Sequence, residues 1–171
     1  MHRLNQFAYV VAAVATCSLL AVHGTAAQDA KSTEKSQPGP SWAVQCGNAG
    51  KEFACTAYQT IAVRKSGQRL LMVSVTRPEG GKGPAMLIHL PHGLFLPAGV
   101  SLKVGEGKPK ALVVQTCDAK GCYAGAALDK DQVSAMHSGK DLTVGFQNLE
   151  KKPLSIAMPL AGFAAAYAKL K

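Results

Sequence analysis

Four cysteines follow residue 40, at Cys46, Cys55, Cys117 and Cys122, and their sulfurs carry the most definite chemistry in the chain. In an oxidising compartment an even number of cysteines pairs into disulfides, and four of them allow three connectivities. Short loops would contribute roughly 2 to 3 kcal/mol each and long ones about 4, so chain entropy alone would favour long-range bridges and does not settle the pairing. Turn chemistry favours local pairing. Gly47-Asn48-Ala49-Gly50 lies inside the first pair and Asp118-Ala119-Lys120-Gly121 inside the second, so each pair is expected to face itself across a hairpin. The rival use is a four-cysteine zinc site, but zinc knuckles keep two to four residues between cysteines and Cys46-x8-Cys55 does not. With no C-x-x-C redox motif either, the four sulfurs read as structural staples.

His89-x-x-His92 is the histidine pair that, joined by a carboxylate, could ligate a divalent metal. Positions three apart on a strand point to opposite faces, so the two rings converge only if Pro91 bends the chain. A turn explains the pair more simply, and no metal is assigned. Nucleophilic catalysis needs a Ser or Cys beside a base. The serines are scattered, no G-x-S-x-G elbow occurs, and the cysteines are expected to be oxidised. Asp129 and Asp131 suit a helix N-terminus. No catalytic residue and no cofactor is therefore expected, and the chain reads as a non-enzyme.

Lys and Arg number 19 against 10 Asp and Glu, for a net charge of +9. Arg64, Lys65 and Arg69 form the densest basic patch, followed by Arg77 and Lys82. Such charges guard a hairpin edge against strand addition; they also draw anionic lipid head groups, lipopolysaccharide or acidic host glycans. Nucleic acid is not expected as a partner, because the cations are spread along turns rather than interleaved with aromatics. Phe95 stands between Leu94 and Leu96 in a Pro/Gly-rich loop. Three consecutive apolar residues cannot all face one core, so one is expected at the surface as a contact, with Phe95 the candidate.

The elements that must position these residues are short. The 171 residues suffice for one core and a processed segment. A 47% hydrophobic content argues against a disordered chain, and 17 Gly and 9 Pro set between short apolar runs argue against a helix bundle. Candidate strands are 42–46, 53–63, 69–76, 85–90, 100–104, 111–117, 122–127, 141–147 and 154–158. Leu142, Val144 and Phe146 alternate with Thr143, Gly145 and Gln147, giving one buried and one solvated face. Asp129 can cap a helix over 130–138, with Gln132 reaching back, Leu128 stapled to Val133 and Gly139 ending it. A second helix over 161–170 sets Phe163, Ala166, Tyr167 and Leu170 on one face. The fold class is all-β: an antiparallel sandwich or barrel with two short helices.

The first residues read as an address. Arg3 precedes a 16-residue apolar run from Phe7 to Val22, and Gly24-Thr25-Ala26-Ala27 follows. That is a secretory signal peptide over 1–27, cut after Ala27 or Ala26, and Cys17 leaves with it. The run is short of the roughly 20 residues a membrane span needs, and no later segment is apolar and long enough. Residues 28–40 are too polar to pack and read as a disordered lead-in to a domain over 41–171.

Four motifs fall in order along that domain: Trp42-x-x-x-Cys46 with Cys55; Pro91-His92-Gly93-Leu94 running into Leu96-Pro97-Ala98-Gly99-Val100; Cys117-x-x-x-Gly121-Cys122-x-Ala124; and Leu160-x-Gly162-Phe163-x-x-Ala166-x-x-x-Leu170. Together they resemble the invasion-associated locus B family of exported bacterial proteins, over nearly all of the mature chain. The resemblance implies an immunoglobulin-like β-sandwich in the periplasm or envelope of Gram-negative cells, tied in some pathogens to host-cell entry. It brings no catalytic residues. The expected role is a periplasmic or secreted interaction module, with an envelope or host-cell component as partner and Arg64, Lys65, Arg69 and Phe95 as contacts. The alternative role is a periplasmic small-ligand or metal-binding protein or chaperone.

Overall fold

The computed structural model describes residues 41–49, 52–78 and 83–170. The expected signal peptide, the lead-in over 28–40 and the basic residue Lys82 lie outside the described residues. Among the described residues ten strands and two helices follow one another: β1 (Ala43–Ala49), β2 (Glu52–Ala62), β3 (Arg69–Thr76), β4 (Ala85–Leu90), β5 (Val100–Val104), β6 (Lys110–Leu112), β7 (Thr116–Asp118), β8 (Gly121–Ala127), α1 (Lys130–Ser138), β9 (Asp141–Gln147), β10 (Pro153–Pro159) and α2 (Phe163–Tyr167). A six-stranded sheet runs β1-β2-β3-β4-β8-β7 and a four-stranded sheet runs β10-β9-β5-β6. Every neighbouring pair is antiparallel, so the chain forms the expected all-β sandwich.

Period-two patterning builds the core. Leu71, Val73 and Val75 of β3, Met86, Ile88 and Leu90 of β4, and Leu142, Val144 and Phe146 of β9 are buried in one apolar cluster shared by both sheets. The helices close it. Asp129 accepts the Gln132 amide at 2.7 Å while the Gln132 side chain accepts the Asp129 amide at 3.1 Å, the reciprocal cap expected at the start of α1. Gly139 ends α1 by close approach, not by left-handed backbone: its φ is −72°, and a Cβ there would lie 2.6 Å from the Ala135 carbonyl.

Two elements differ from expectation. The single strand over 111–117 is two: β6 pairs with β5 in one sheet and β7 with β8 in the other. Val113, 76% exposed, lies on the crossing between sheets, and an apolar run does not reveal such a switch. The last helix is also shorter than 161–170. Gly162 sits in the left-handed region (φ 86°), and beyond Tyr167 the Lys169 and Leu170 amides close three-residue turns onto Ala166 and Tyr167. Its expected face holds, with Phe163, Ala166 and Leu170 buried and Trp42 edge-on to Phe163 at 4.9 Å.

The strand registers also fix which turns share an end of the sandwich. Arg69 opens β3 beside the end of β2, and Leu90 closes β4 opposite Cys122 near the start of β8. Leu94 bridges Asn148, and the Phe95 amide bonds the Gln147 carbonyl at 2.9 Å where β9 ends. The β2–β3 turn, the 91–99 loop, the β7–β8 hairpin and the β9–β10 turn therefore converge on one end, while α1 lies beyond the other end of β8 and β9.

Candidate functional site

Both disulfides form, and both are local. Cys46 bonds Cys55 between β1 and β2, and Cys117 bonds Cys122 between β7 and β8; in each case the cysteines are directly opposed. The second hairpin is gripped by both histidines of the 89–92 pair. His89 lies on the outer face of the six-stranded sheet, opposite Met72 on one side and Tyr123 on the other, yet is only 4% exposed. Its ring stacks on Tyr123 with centroids 4.5 Å apart, and its Nε2 donates to the Lys120 carbonyl at 2.9 Å. The carbonyl can only accept, so that nitrogen carries the hydrogen. Arg69 Nη2, 3.3 Å from the same nitrogen, is also a donor and is therefore a packed neighbour of the ring, not its hydrogen-bond partner. His92, exposed in the following loop, donates its Nε2 hydrogen to the Asp118 carbonyl at 2.7 Å.

Asp118 and Tyr123 finish the clamp. The Asp118 carboxylate accepts the Lys120 amide at 2.7 Å and the Tyr123 hydroxyl at 3.2 Å from each oxygen. The Lys120 amide holds the Asp118 carboxyl below the usual carboxylate range, the Tyr123 hydroxyl adding to this and partial desolvation opposing it. Desolvation pushes the Tyr123 phenol up, and its bond to Asp118 pushes it further. Gly121 makes the hairpin possible. Its φ is +146°, and a Cβ would meet the Leu90 carbonyl and lie 2.6 Å from His89 Nε2. The Nε2 atoms of both histidines, the Asp118 carboxylate and the Tyr123 hydroxyl are engaged by backbone groups or by one another, and together they hold the Cys117–Cys122 hairpin against the end of β4.

The convergent turns place the expected contact residues on this end of the sandwich but do not make them one patch. Arg64 and Lys65 are exposed at the tip of the β2–β3 turn, which the Gly67-to-Val63 and Val63-to-Gln68 backbone bonds close at 2.8 Å each. Arg69 instead leans on His89 at the root of that turn. Phe95 is not the apolar residue turned out. Leu94 is buried, Phe95 is half-buried with Lys151 Nζ 5.0 Å from its ring centroid, and Leu96 is 47% exposed on a single 3-10 turn over Leu96–Ala98.

Sequence reasoning missed Lys120, Lys151, Lys152, Leu96 and Leu149. The last is 66% exposed in the β9–β10 turn. Asn148 anchors that turn, its side chain accepting the Lys152 amide at 2.9 Å, and Lys151 adopts φ 59° beside it. The four turns of this end carry the cations Arg64, Lys65, Arg69, Lys120, Lys151 and Lys152 against the carboxylates of Asp118 and Glu150. Near the other end, α1 and the apolar face of Tyr167 border a groove of about 630 Å³, lined by Pro84, Leu128 and Val133 among others. Among the described residues no group of three or more His, Cys, Asp or Glu is placed to hold a metal, and no helix is long and apolar enough to cross a membrane.

Two antiparallel sheets over one core, with a cystine clipping a hairpin in two places, define a disulfide-stapled β-sandwich. The chain belongs to the family described as Invasion associated locus B (IalB) protein, whose model matches residues 42–171. It is 32% identical over 131 residues to an invasion protein B homolog of Brucella abortus (strain 2308), covering 76% of this chain and 75% of the relative. The homolog from Brucella abortus biovar 1 (strain 9-941) matches to the same extent. The crystal structure of invasion associated protein b from Bartonella henselae shares the fold, with a TM-score of 0.68 over 78% of this chain and 92% of that one at 23% identity.

Proposed function

We propose that this chain is an exported, non-enzymatic interaction module of the periplasm or envelope, and that its basic end binds an anionic component of the envelope or of a host-cell surface. The observation that carries the reading is the placement of six Lys and Arg residues and two acidic ones on the turns of one end. Asp118 keeps its charge within the hairpin, and the excess of six cations over two carboxylates makes the field of that end positive. Exposed Leu96 and Leu149 add apolar contact among the cations, a combination that suits a surface of anionic head groups over an apolar layer. Two cystines fit an oxidising compartment, as the signal-like start of the sequence does. The relatives bear the name invasion protein B, which supports a host-facing role.

The test is sedimentation of the purified exported protein with vesicles of phosphatidylglycerol and of phosphatidylcholine. Binding is expected to the anionic vesicles, to weaken with salt, and to be lost when Arg64, Lys65, Lys151 and Lys152 are all changed to Glu. Arg69 is left in place because it packs on His89. Equal binding by parent and variant would remove the basic end from the interaction. Mass spectrometry of the non-reduced exported protein should find an amino terminus at Ala27 or Gln28, and an intact Met1 would overturn the export reading.

A further inference from the structure

Among the described residues four strands lie at sheet edges: β1 and β7 in the six-stranded sheet, β10 and β6 in the other. An open edge offers unpaired N–H and C=O groups to another chain, and proteins blunt it with shortness, proline or charge. β6 and β7 are three residues long, and β10 begins at Pro153 and ends at Pro159. β1 has none of these devices. It runs seven residues, Ala-Val-Gln-Cys-Gly-Asn-Ala, with no proline and no charge.

The Cys46–Cys55 bridge determines which backbone groups face outward. The two residues are directly opposed with Cα atoms 4.0 Å apart, the narrow spacing of an antiparallel ladder, where facing residues do not exchange hydrogen bonds. Cys46 therefore turns its N–H and C=O away from β2, and Val44 and Asn48, two residues either side, do the same. Among the described residues no strand pairs with this edge of β1.

We propose that β1 pairs antiparallel with β1 of a second copy about a two-fold axis at Cys46, joining two six-stranded sheets into one. Val44 of one copy then exchanges hydrogen bonds with Asn48 of the other, and Cys46 with Cys46. In that register Gln45 of one copy falls opposite Gly47 of the other. A Cβ at Gly47 would meet nothing within 4 Å, and the same sheet face carries a concavity of about 440 Å³ floored by Thr56, Tyr58 and Met72. The exposed Gln45 side chain thus enters the space that the glycine leaves, a match that repeats itself under two-fold symmetry. Charge selects the same edge. Two copies of a chain with net charge +9 repel most where cations gather, and β1 brings no charge to the contact.

Sedimentation equilibrium of the exported protein is expected to give twice the monomer mass at micromolar concentration and above. Asn48→Pro removes one outward N–H and leaves the bonds to β2 intact, as edge strands tolerate. It should raise the dissociation constant on the order of tenfold or more, about 1.4 kcal/mol, without moving the unfolding transition measured at a concentration where both proteins are monomeric. Gly47→Lys, which fills the space opposite Gln45 with a charge, should do the same and decides the matter if the proline variant fails to fold. Slow amide exchange at Val44, Cys46 and Asn48 in the dimer would support the pairing. A parent protein that stays monomeric, a dimer that neither variant weakens, or slow exchange of those amides in a monomer would overturn it.

Discussion

His89 reaches across the sheet to the hairpin tip and donates its Nε2 hydrogen to the carbonyl of Lys120 at 2.9 Å. The bond joins the penultimate residue of β4, one position before the Leu90–Cys122 pair, to the loop that the Cys117–Cys122 bridge encloses. Position 89 is therefore a fastening between an outer sheet face and a disulfide hairpin, which is why a histidine can be nearly buried on a face where alternate residues otherwise meet solvent.

The two histidines should differ sharply on substitution. His89→Ala loses a buried ring, its stacking on Tyr123 and a hydrogen bond, for a destabilisation of about 2 to 4 kcal/mol in urea unfolding. His92→Ala loses one exposed bond and should cost under about 1 kcal/mol. Equal losses would mean that the buried stack contributes nothing.

Gly121→Ala should be as damaging as the loss of His89. The added methyl meets the Leu90 carbonyl and the His89 ring, and the φ of +146° disfavours any side chain. We expect a loss of about 2 kcal/mol or more, measured by thermal or urea unfolding, with His89→Ala adding less in the Gly121→Ala background than in the parent. Full additivity of the two would show that the glycine and the histidine do not share one contact.

How far this was legible in the sequence depends on the range of the forces involved. The Asp129–Gln132 cap, the alternation of β9 and the local cysteine pairing are settled within a few residues, and they appear where the residue pattern puts them. The split of β6 from β7 is not local, because Val113 and Val114 look like strand interior until β8 claims Thr116 to Asp118 for the other sheet. Similarly, the triplet Leu94-Phe95-Leu96 shows that one residue must turn out but not which one. That choice falls to Asn148, which draws in Leu94, and to Lys151, which covers Phe95. The basic end was invisible for the same reason, since only strand register brings Lys120 and Lys151 to the end that holds Arg64.

Acid and alkali should act on the hairpin through two different groups. The Asp118 pKa is lowered by folding, so its contribution is present above the unfolded pKa and is lost as pH falls below about 4. Asp118→Asn keeps an acceptor for the Lys120 amide and should flatten this acid limb of stability. The Tyr123 pKa is raised, so its contribution is lost as pH climbs above about 10, and Tyr123→Phe should flatten the alkaline limb. Stability curves of parent and variants that run parallel through both ranges would contradict the assignment.

Gln59 offers a gain in place of a loss. It is 1% exposed on the inner face of β2 opposite Val73, and neither its Nε2 nor its Oε1 has a hydrogen-bond partner within the protein. Burying an amide without partners costs free energy that an apolar chain of similar length avoids. Gln59→Met should raise the stability by about 1 kcal/mol, visible as an upward shift of the thermal transition. A fall would mean that the amide is satisfied by enclosed water.

The disulfides make the last test, and each can be judged by itself. Cys46–Cys55 spans nine positions and Cys117–Cys122 five, so loop closure in the unfolded chain assigns about 2 to 3 kcal/mol to either one. Their surroundings are not equal. The second bridge closes a hairpin that His89, His92, Tyr123 and Gly121 already hold by their own contacts, whereas the first clips β1, an edge strand with one neighbour, to β2. Removing Cys46 and Cys55 together, as a Cys46→Ala, Cys55→Ala double variant, should therefore speed amide exchange along β1 more than the matching change at Cys117 and Cys122 speeds it along β7. The opposite order would show that the histidine clamp depends on the bridge it surrounds.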